Sequence, residues 1–535
     1  MQTTSLPGVS ITAATTMDPG FTPPGDKRSL STPFCRVIGV ATPVAGSRIT
    51  FEVWLPPAGT WNGKFRGEGS GGSAGTINYP ALVDGLARGY ATMANDNGHT
   101  GSSWTFAQNP EAVVDFGYRA QHVSTVDAKA IVQAFYGTAP RHAYFVGCSQ
   151  GGHHAQMEAQ RYPQDYDGIL AGDPASNWIG QMLAEVRIGM VSTAGGTDLP
   201  QPQLDLVTKA VLAQCAAKDG GAPGDQFLND PRACHPDLAA LQCKPGQDGQ
   251  TCLSAAQMQA VQVIHDGTTD PSTGQKITAG MAPGSEAYWR QVLVGTPLPG
   301  GSSTSFFRDG IFNDAKYDFS NFNFARDTAY TEGKLFADQT AVGILDANNT
   351  NLEPFRQAGG KLIMYHGWAD PFIAPQASID IYAGIVGHDA QAHAIPFDLS
   401  QRGNAAAVHD TQSFARLFMV PGLNHCTGGP GVNSFGGAYQ PAGIPLDRMH
   451  DMVDALDAWV DHGIAPDKII AAKYTNNDPK QGLAISRPLC PYPQAASYDG
   501  TGNPADAASF SCAELKPQEN GPPLQGVNSF PNAIP

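Results

Sequence analysis

The sequence lacks any uninterrupted apolar run of about 18 residues, the length at which a segment becomes a candidate membrane-spanning helix. Basic residues are also scarce, since 32 lysines and arginines stand against 48 aspartates and glutamates and give a formal net charge of −16. A protein with this charge is repelled by phosphate backbones and by anionic lipid surfaces. We therefore expect neither a nucleic acid nor a membrane as a partner.

The Cys-x-x-Cys spacing of zinc sites is absent too, although the chain has nine cysteines. Six of them lie at separations that suit local disulfide loops: Cys215 with Cys234, Cys243 with Cys252, and Cys490 with Cys512. Disulfides persist in oxidising compartments, so we expect a secreted or periplasmic protein. Because the first residues resemble no secretory signal peptide, this expectation requires that the export signal has been removed. Cys35 has no evident partner.

At 535 residues the chain exceeds a minimal domain, and 41% hydrophobic residues with 61 glycines and 42 prolines indicate a loop-rich globular protein. Between about residues 176 and 348 the alternation of strands and helices gives way to helical pieces, cysteine loops and aromatic stretches. We interpret residues 176–348 as a mainly helical lid domain inserted into an α/β core. Residues 1–175 and 349–535 form that core, and the Pro- and Gly-rich tail wraps its surface.

Three short apolar runs predict buried parallel strands that each end at a turn: His142–Gly147, Lys361–His366 and Arg416–Val420. The first is followed by two glycines and by a helical stretch, His153–Tyr162, which Pro163 closes. The order of strand, tight turn and helix is the context that a nucleophile elbow requires.

Additional strands and a helix surround this unit. We predict a further strand at Asp167–Gly172, a helix at Thr125–Tyr136, and an upstream meander at Arg36–Val40 and Ile49–Leu55. Together these elements indicate the α/β class.

The turn after the first strand reads Gly147-Cys148-Ser149-Gln150-Gly151 and fits the Gly-x-Ser-x-Gly pattern. Glycines at both ends matter because the elbow forces the serine into a strained backbone conformation, where larger flanking residues would collide with strand or helix. The plainer interpretation is that Ser149 caps a helix N-terminus. The surrounding strand and helix favour Ser149 as a nucleophile.

A nucleophilic serine needs two N–H donors for the oxyanion of its tetrahedral intermediate. Gln150 supplies one from the start of the helix, and an upstream glycine-rich loop, Gly67–Ser73, supplies the other, with Gly72 as the preferred donor. A phosphate-binding loop is the alternative for this segment, but no Gly-Lys-Ser/Thr follows it.

The acid of such a triad lies on a turn after a later strand and before the histidine. Asp370 meets both conditions. Three other carboxylates compete: Asp173, Asp398 and Asp410. We interpret Asp173 as a strand-end turn residue, and no strand immediately precedes the other two.

His425 follows the last predicted strand through a flexible turn and is the candidate general base, its tautomer fixed by Asp370. Cysteines adjoin both partners, since Cys148 precedes Ser149 and Cys426 follows His425. If the serine and the histidine meet, the two thiols come within bonding range. A Cys148–Cys426 disulfide is therefore predicted.

These residues resemble the Cys-Ser, Asp, His-Cys pattern of the tannase and feruloyl esterase family, to which the hydrolase of mono(2-hydroxyethyl) terephthalate also belongs. The resemblance extends along nearly the whole chain and is carried by these segments: Trp61–Phe65, Gly69–Gly72, Glu158–Pro163, His366–Asp370, Pro421–Cys426 and Arg487–Pro493.

The resemblance implies an α/β-hydrolase core, a helical lid and serine-mediated hydrolysis of aromatic carboxylic esters through an acyl-enzyme, without a catalytic cofactor. Trp368, Phe372 and lid aromatics are expected to contact a planar acyl group. Feruloyl (hydroxycinnamate) esters are the preferred substrates, and gallate esters or terephthalate and phthalate monoesters are the alternatives. An alternative of another class is a catalytically silent binding protein with the hydrolase fold. The oligomeric state stays open.

The family also implies a structural calcium loop in the lid, closed by a disulfide. Cys215–Cys234 resembles that loop, and its implied ligands are the carboxylates of Asp219 and Asp225 with the backbone carbonyls of Gly221 and Phe227. Ala216 stands where a further aspartate is expected, which weakens a Ca²⁺ site. The alternative is a Gly/Asp loop closed by its disulfide alone.

Overall fold

A computed structural model describes residues 6–25, 29–269, 274, 276–291, 301–396, 404–440 and 443–514 of the chain. The strands in these ranges are β1 (Val9–Met17), β2 (Phe34–Ala41), β3 (Ile49–Leu55), β4 (Lys64–Glu68), β5 (Ala91–Asn95), β6 (His142–Cys148), β7 (Gly168–Gly172), β8 (Thr268–Thr269), β9 (Lys276–Thr278), β10 (Leu335–Phe336), β11 (Gln339–Thr340), β12 (Lys361–Gly367), β13 (Ala415–Val420), β14 (Ile469–Tyr474), β15 (Leu483–Leu489), β16 (Gln494–Tyr498) and β17 (Phe510–Glu514).

The α-helices are α1 (Tyr79–Ala87), α2 (Pro110–Val114), α3 (Ala120–Tyr136), α4 (Gln150–Arg161), α5 (Trp178–Thr193), α6 (Gln201–Cys215), α7 (Ala255–Asp266), α8 (Gly301–Ser305), α9 (Phe324–Gly333), α10 (Ala341–Leu345), α11 (Glu353–Gln357), α12 (Gln376–Ala392), α13 (Ala405–Thr411) and α14 (Met452–His462). Two π-helical turns occur at Asp115–Arg119 and Phe306–Ile311. Short 3₁₀ helices lie at Trp104–Gln108, Pro231–Ala233, Ala239–Leu241, Glu286–Gln291, Phe319–Asn321, Thr475–Asn477, Pro479–Gln481 and Ala507–Ser509.

Nine strands form one sheet in the order β1-β2-β3-β5-β4-β6-β7-β12-β13. The first four pair antiparallel, whereas β5, β4, β6, β7, β12 and β13 run parallel. The carboxyl ends of parallel strands meet at one edge of a sheet, which is where ligands and catalytic groups gather in open α/β folds. The turns after β6, β12 and β13 therefore lie at that edge.

The sheet is covered on both faces, as its parallel strands require. Along β6 successive side chains alternate between the faces, so that Phe145 joins one hydrophobic cluster while Tyr144 and Val146 join another. This burial fixes the register of the strand that leads to Ser149.

The predicted strands and helices around the elbow are present, with one informative difference. Helix α4 begins at Gln150, three residues before the predicted start, because Gly151 and Gly152 belong to the helix. A Cβ on Gly152 would overlap the carbonyl oxygen of Gly172 at the end of β7. The glycine therefore allows close packing of helix on strand.

In the segment from 176 to 348, the described residues add no strand to the nine-stranded sheet, and the only strands there are the short ribbons β8–β9 and β10–β11. The segment is mainly helical, and most of its buried apolar side chains lie in two hydrophobic clusters. One contains Trp178 and Phe306 together with Trp104 and Phe116 from the preceding part of the chain, and the other contains Leu204 and Trp289. Its boundaries as a lid domain stay a prediction.

The C-terminal part ends in two antiparallel ribbons, β14 with β15 and β16 with β17. The Cys490–Cys512 disulfide joins the ribbons, because Cys490 directly follows β15 and Cys512 lies in β17. Within the described ranges no helix is both long and apolar enough to cross a membrane.

Candidate active site

Ser149 occupies the single-residue turn between β6 and α4. Its φ of 64° and ψ of −122° fall in a region that non-glycine residues rarely adopt, which is the strain typical of a nucleophile elbow. A Cβ on Gly147 would overlap the backbone of Gly151, and a Cβ on Gly69 would do the same. Three glycines therefore make room for the turn.

Three side chains from separate strand ends form a hydrogen-bonded chain at this turn. His425 Nε2 lies 2.8 Å from Ser149 Oγ, and His425 Nδ1 lies 2.7 Å from Asp370 Oδ2. The other carboxylate oxygen of Asp370 accepts the backbone N–H groups of Phe372 and Ile373 at 2.7 and 3.1 Å. The aspartate is thereby fixed by its own turn, and the arrangement is that of a nucleophile, a base and an orienting acid.

Burial and charge act in opposite directions on the two titratable members. Burial lowers the pKa of His425, but the Asp370 charge and its hydrogen bond raise this pKa more, and the net result lies above the usual value. Burial likewise raises the pKa of Asp370, while the charge of His425 and hydrogen bonds from His366 and His425 hold this pKa well below its usual range. The pair therefore favours an ionised aspartate beside a basic imidazole.

The predicted Cys148–Cys426 disulfide is present, with the two Cα atoms 5.9 Å apart and the residues separated by 278 positions. It joins the residue before Ser149 to the residue after His425. The other three predicted pairs are also bonded, namely Cys215–Cys234, Cys243–Cys252 and Cys490–Cys512, whereas Cys35 is free.

The loop from Gly69 to Ser73 is held beside the elbow by polar contacts from a neighbouring turn. Asn97 donates to Ser70 Oγ at 2.8 Å, and Trp104 Nε1 donates to Ser73 Oγ at 2.8 Å. Between these anchors Gly72 has a φ of +55° and is exposed. Gln150 is the first residue of α4, where no carbonyl of the helix is available to its N–H.

Tyr439 also contacts this loop and is not among the site residues predicted from the sequence. Its hydroxyl accepts the amide of Asn78 at 2.8 Å and lies 3.5 Å from the Gly69 carbonyl oxygen, to which it donates. Its φ of +64° is unusual for a non-glycine residue, and such strain marks functional segments. No pattern in the sequence indicates that a tyrosine adopts the left-handed backbone conformation.

The three carboxylates that competed with Asp370 for the role of the acid are Asp173, Asp398 and Asp410. Asp410 forms an ion pair with Arg356 at 2.8 Å. Asp398 lies outside the described residues. Asp173 directly follows β7, as predicted, but its side chain is fully buried and lies 3.7 Å from His366 Nε2. His366 also lies 3.3 Å from Asp370 Oδ2 and therefore supports the acid turn.

The two predicted substrate contacts lie in different surroundings. The Phe372 ring is half-buried with its centroid 4.9 Å from that of His425, which places it beside the base. Trp368 is only 4% exposed, and the Arg232 guanidinium lies 5.5 Å from its ring centroid. The Trp368 side chain is therefore packed within a hydrophobic cluster, and its contact with the substrate stays a prediction.

Both carboxylates of the implied calcium loop already accept hydrogen bonds. One oxygen of Asp219 accepts the N–H of Gly221 at 3.1 Å, and the other accepts the N–H of Asn229 at 2.5 Å. The oxygens of Asp225 accept the N–H of Ala222 at 2.8 Å and a guanidinium N–H of Arg487 at 2.6 Å.

Phe227 is buried, and the Arg487 guanidinium of β15 lies 5.8 Å from its ring centroid, so a cation from outside the loop already lies against it. Ala216 contributes no carboxylate. Since hard cations need several free anionic oxygens, the residues present do not fit Ca²⁺.

Comparisons with known proteins agree with this geometry. The family model described as "Tannase and feruloyl esterase" matches residues 35–513. An uncharacterized esterase of Xanthomonas campestris pv. campestris is 39% identical over 95% of this chain and 90% of its own length. A probable feruloyl esterase B-2 of Aspergillus terreus is 30% identical over 91% of this chain and 87% of its own.

Among solved structures, feruloyl esterase B from Aspergillus oryzae superimposes with a TM-score of 0.84 at 27% identity, covering 95% of this chain and 98% of its own. The fold is therefore that of an α/β hydrolase. Taken together with the family match over nearly the whole chain, these likenesses show that the chain belongs to the tannase and feruloyl esterase family and is an ester-hydrolysing enzyme of that type.

Proposed function

We propose that the protein hydrolyses esters of hydroxycinnamic acids, such as ferulate, through an acyl-enzyme formed on Ser149. The observation that carries the proposal is the hydrogen-bonded chain from Ser149 Oγ through His425 to Asp370. It starts at a strained elbow serine, which is where hydrolases of this fold present their nucleophile.

In the first half-reaction, Ser149 Oγ attacks the ester carbonyl carbon while His425 Nε2 accepts the hydroxyl proton. The carbonyl oxygen becomes an oxyanion that the N–H groups of Gln150 and Gly72 stabilise. When the carbon–oxygen bond to the alcohol breaks, His425 returns the proton to the departing oxygen. An alcohol leaves and an ester of Ser149 stays.

In the second half-reaction, a water molecule gives a proton to His425 Nε2 and attacks the acyl carbon. The bond to Ser149 Oγ then breaks, and the serine recovers its proton from His425. Asp370 keeps the Nδ1–H of His425 oriented and stabilises the imidazolium in both halves. The free carboxylic acid is the product.

The acyl group is inferred from two considerations. The relatives named above that carry a substrate in their names are feruloyl esterases. In this chain the half-buried ring of Phe372, 4.9 Å from that of His425, offers an aromatic surface beside the reacting atoms, which suits a planar acyl group.

A substrate panel tests the proposal. Purified protein should hydrolyse methyl ferulate with a higher kcat/KM than propyl gallate or a terephthalate monoester. Preference for gallate would make it a tannase, and preference for the monoester would make it a terephthalate or phthalate ester hydrolase. A fluorophosphonate should label Ser149, and Ser149→Ala should remove both label and turnover. No label and no turnover in the native enzyme would instead indicate a silent binding protein.

We also propose that the enzyme acts outside the cytoplasm, on small-molecule esters, and without a structural metal. Its four disulfides support an oxidising compartment. The occupation of Asp225 by Arg487 supports a metal-free loop.

A further inference from the structure

Asp173 connects the two turns that carry the acid and the base. One of its carboxylate oxygens accepts the backbone N–H of Gly367 at 2.7 Å, and the other accepts that of Cys426 at 2.8 Å. Gly367 is the last residue of β12, from which the chain turns to Asp370, and Cys426 directly follows His425. A single side chain thus holds the backbones of both turns.

The same carboxylate reaches the elbow. Oδ2 of Asp173 lies 3.2 Å from the sulfur of Cys148, which carries no hydrogen because it is bonded to Cys426. Cys148 precedes Ser149, so Asp173 contacts the residues next to Ser149 and His425 and the end of the strand that leads to Asp370. Its own backbone is strained, with a φ of +34°. This strain is maintained only where the surroundings fix the residue firmly.

The charge of Asp173 is costly where it lies. The side chain is fully buried, and among the described residues its ion-pair partner within 4.0 Å is His366, at 3.7 Å, with no lysine or arginine. Burial keeps the pKa of Asp173 above its usual value, although the charge of His366 and the N–H of Gly367 act in the opposite direction. Because both oxygens accept N–H groups, the ionised form fits the site. A turn alone requires neither a buried charge nor these bonds.

We propose that Asp173 is a positioning residue for ester hydrolysis, whose carboxylate holds the acid turn and the base turn in register with the elbow serine. The inference rests on the proposed function of Ser149. Since Asp173 contacts no reacting atom, it acts through the backbone of its neighbours. Displacing a catalytic group by about 1 Å is enough to reduce turnover by about 10²-fold.

The carboxylate also has an electrostatic effect that separates positioning from packing. Among the described residues, His425 contacts Ser149, Asp370 and the Phe372 ring, and the charge of the nearby Asp173 also acts on it. Negative charge stabilises the imidazolium and raises the pKa of His425. Removing the charge of Asp173 should therefore lower this pKa, and activity should persist to lower pH, because the base must be neutral to accept a proton.

The experiment compares Asp173→Asn with Asp173→Glu and with a matched control, Asp115→Asn. Asp115 is equally buried and ion-paired with Arg119, but it contacts no member of the triad. For each variant kcat, KM and the acidic limb of kcat/KM against pH are measured with methyl ferulate, and folding is followed by circular dichroism.

We expect Asp173→Asn to reduce kcat by about 10²-fold with KM nearly unchanged, and to shift the acidic limb to lower pH by about one unit. Asp173→Glu, which keeps the charge but displaces it, should reduce kcat and leave the limb in place. Asp115→Asn should alter neither.

Native kcat and an unshifted limb in a folded Asp173→Asn would overturn the inference, as would failure of both Asp173 variants to fold, since the carboxylate would then be a requirement of folding. A reduced kcat without a shift of the acidic limb would mean that Asp173 acts through packing alone, and would also overturn the inference. Ser149→Ala in the same assay separates the two proposals: if it keeps its activity, the proposed function fails regardless of Asp173.

Discussion

Cys148 and Cys426 are bonded to each other, and each adjoins a member of the Ser149–His425 pair, whose Oγ and Nε2 atoms lie 2.8 Å apart. The bond connects chain segments 278 positions apart directly beneath the reacting atoms. It therefore restricts the relative movement of nucleophile and base more directly than the packing of β6 and β13, which are not neighbours in the sheet.

The double variant Cys148→Ala/Cys426→Ala should reduce kcat more than it reduces the folded fraction of the protein. We expect kcat to fall by about 10²-fold under conditions where circular dichroism shows the native fold, because the serine and its base lose their covalent link. The control is Cys243→Ala/Cys252→Ala, which removes a bond between residues only nine positions apart in the lid segment. Both changes lower stability, by roughly 2–5 kcal/mol each. Native kcat in the first variant would contradict the positioning role.

The pH dependence of turnover should report the environment of His425. Its pKa is raised above the usual value of about 6.5, and only the neutral imidazole accepts the serine proton, so activity should rise with pH through a midpoint above about 6.5. Asp370→Asn should reduce kcat by about 10⁴-fold and shift this midpoint to lower pH, because the negative charge beside the imidazole is lost.

The matched control for Asp370→Asn is Asp410→Asn, the rival carboxylate that pairs with Arg356 instead. Profiles of kcat/KM against pH, with fluorophosphonate labelling as an independent measure of serine reactivity, check the prediction. A midpoint below about 6.5 in the native enzyme would contradict it.

The meeting of Ser149, Asp370 and His425 could be predicted because each position follows from local chemistry that the sequence displays. Ser149 has glycines on both sides, and Asp370 and His425 each follow an apolar strand within a few residues. Parallel strands bring their carboxyl ends to one edge, so a correct strand assignment is enough to bring the three side chains together. The adjoining cysteines added a distance constraint that few sequences offer.

The supporting residues could not be predicted, because their roles arise from tertiary contacts. The aromatic ring of Trp368 suits a substrate contact, and only the folded chain brings the Arg232 guanidinium to 5.5 Å from its centroid. Asp173 looks like an ordinary strand-end aspartate until Gly367 and Cys426 are brought to its two oxygens. Nothing in the spacing of residues determines which backbone N–H groups a buried carboxylate will meet.

Tyr439→Phe tests whether the tyrosine hydroxyl steadies the oxyanion loop. Losing its bonds to Asn78 and Gly69 should lower kcat by roughly 10-fold while leaving KM nearly unchanged, since a hydrogen bond of this kind contributes about 1 kcal/mol. Tyr136→Phe is the control, because it removes a similar hydroxyl-to-carbonyl bond, 2.6 Å to Pro56, outside the site. Equal kinetics in the two variants would exclude a role for Tyr439 in the loop.

Removing metal ions should leave the thermal stability of the protein unchanged. Because Asp225 is paired with Arg487, with side chains only 8% and 1% exposed, EDTA should not lower Tm and added Ca²⁺ should not raise it. Arg487→Gln, by contrast, leaves a buried carboxylate without its cation and should reduce stability by about 3–5 kcal/mol. Arg290→Gln is the control, since its ion pair with Asp198 is largely exposed. A Tm that falls on chelation would restore calcium to the loop.

Phe372 and Trp368 should respond differently to truncation, because only the first lies beside the base. Phe372→Ala removes an aromatic surface next to His425, so KM for methyl ferulate should rise and kcat/KM should fall by roughly 10-fold, while Tm changes little. Trp368→Ala opens a cavity in the core and should lower the free energy of unfolding by about 3–5 kcal/mol, with KM nearly native in the protein that stays folded. Aliphatic esters serve as the control substrates, since they gain little from an aromatic neighbour. Their kcat/KM should be similar for the native enzyme and Phe372→Ala. If Trp368→Ala instead raises KM for ferulate as strongly as Phe372→Ala, the buried tryptophan takes part in acyl recognition and its assignment to the core alone is wrong.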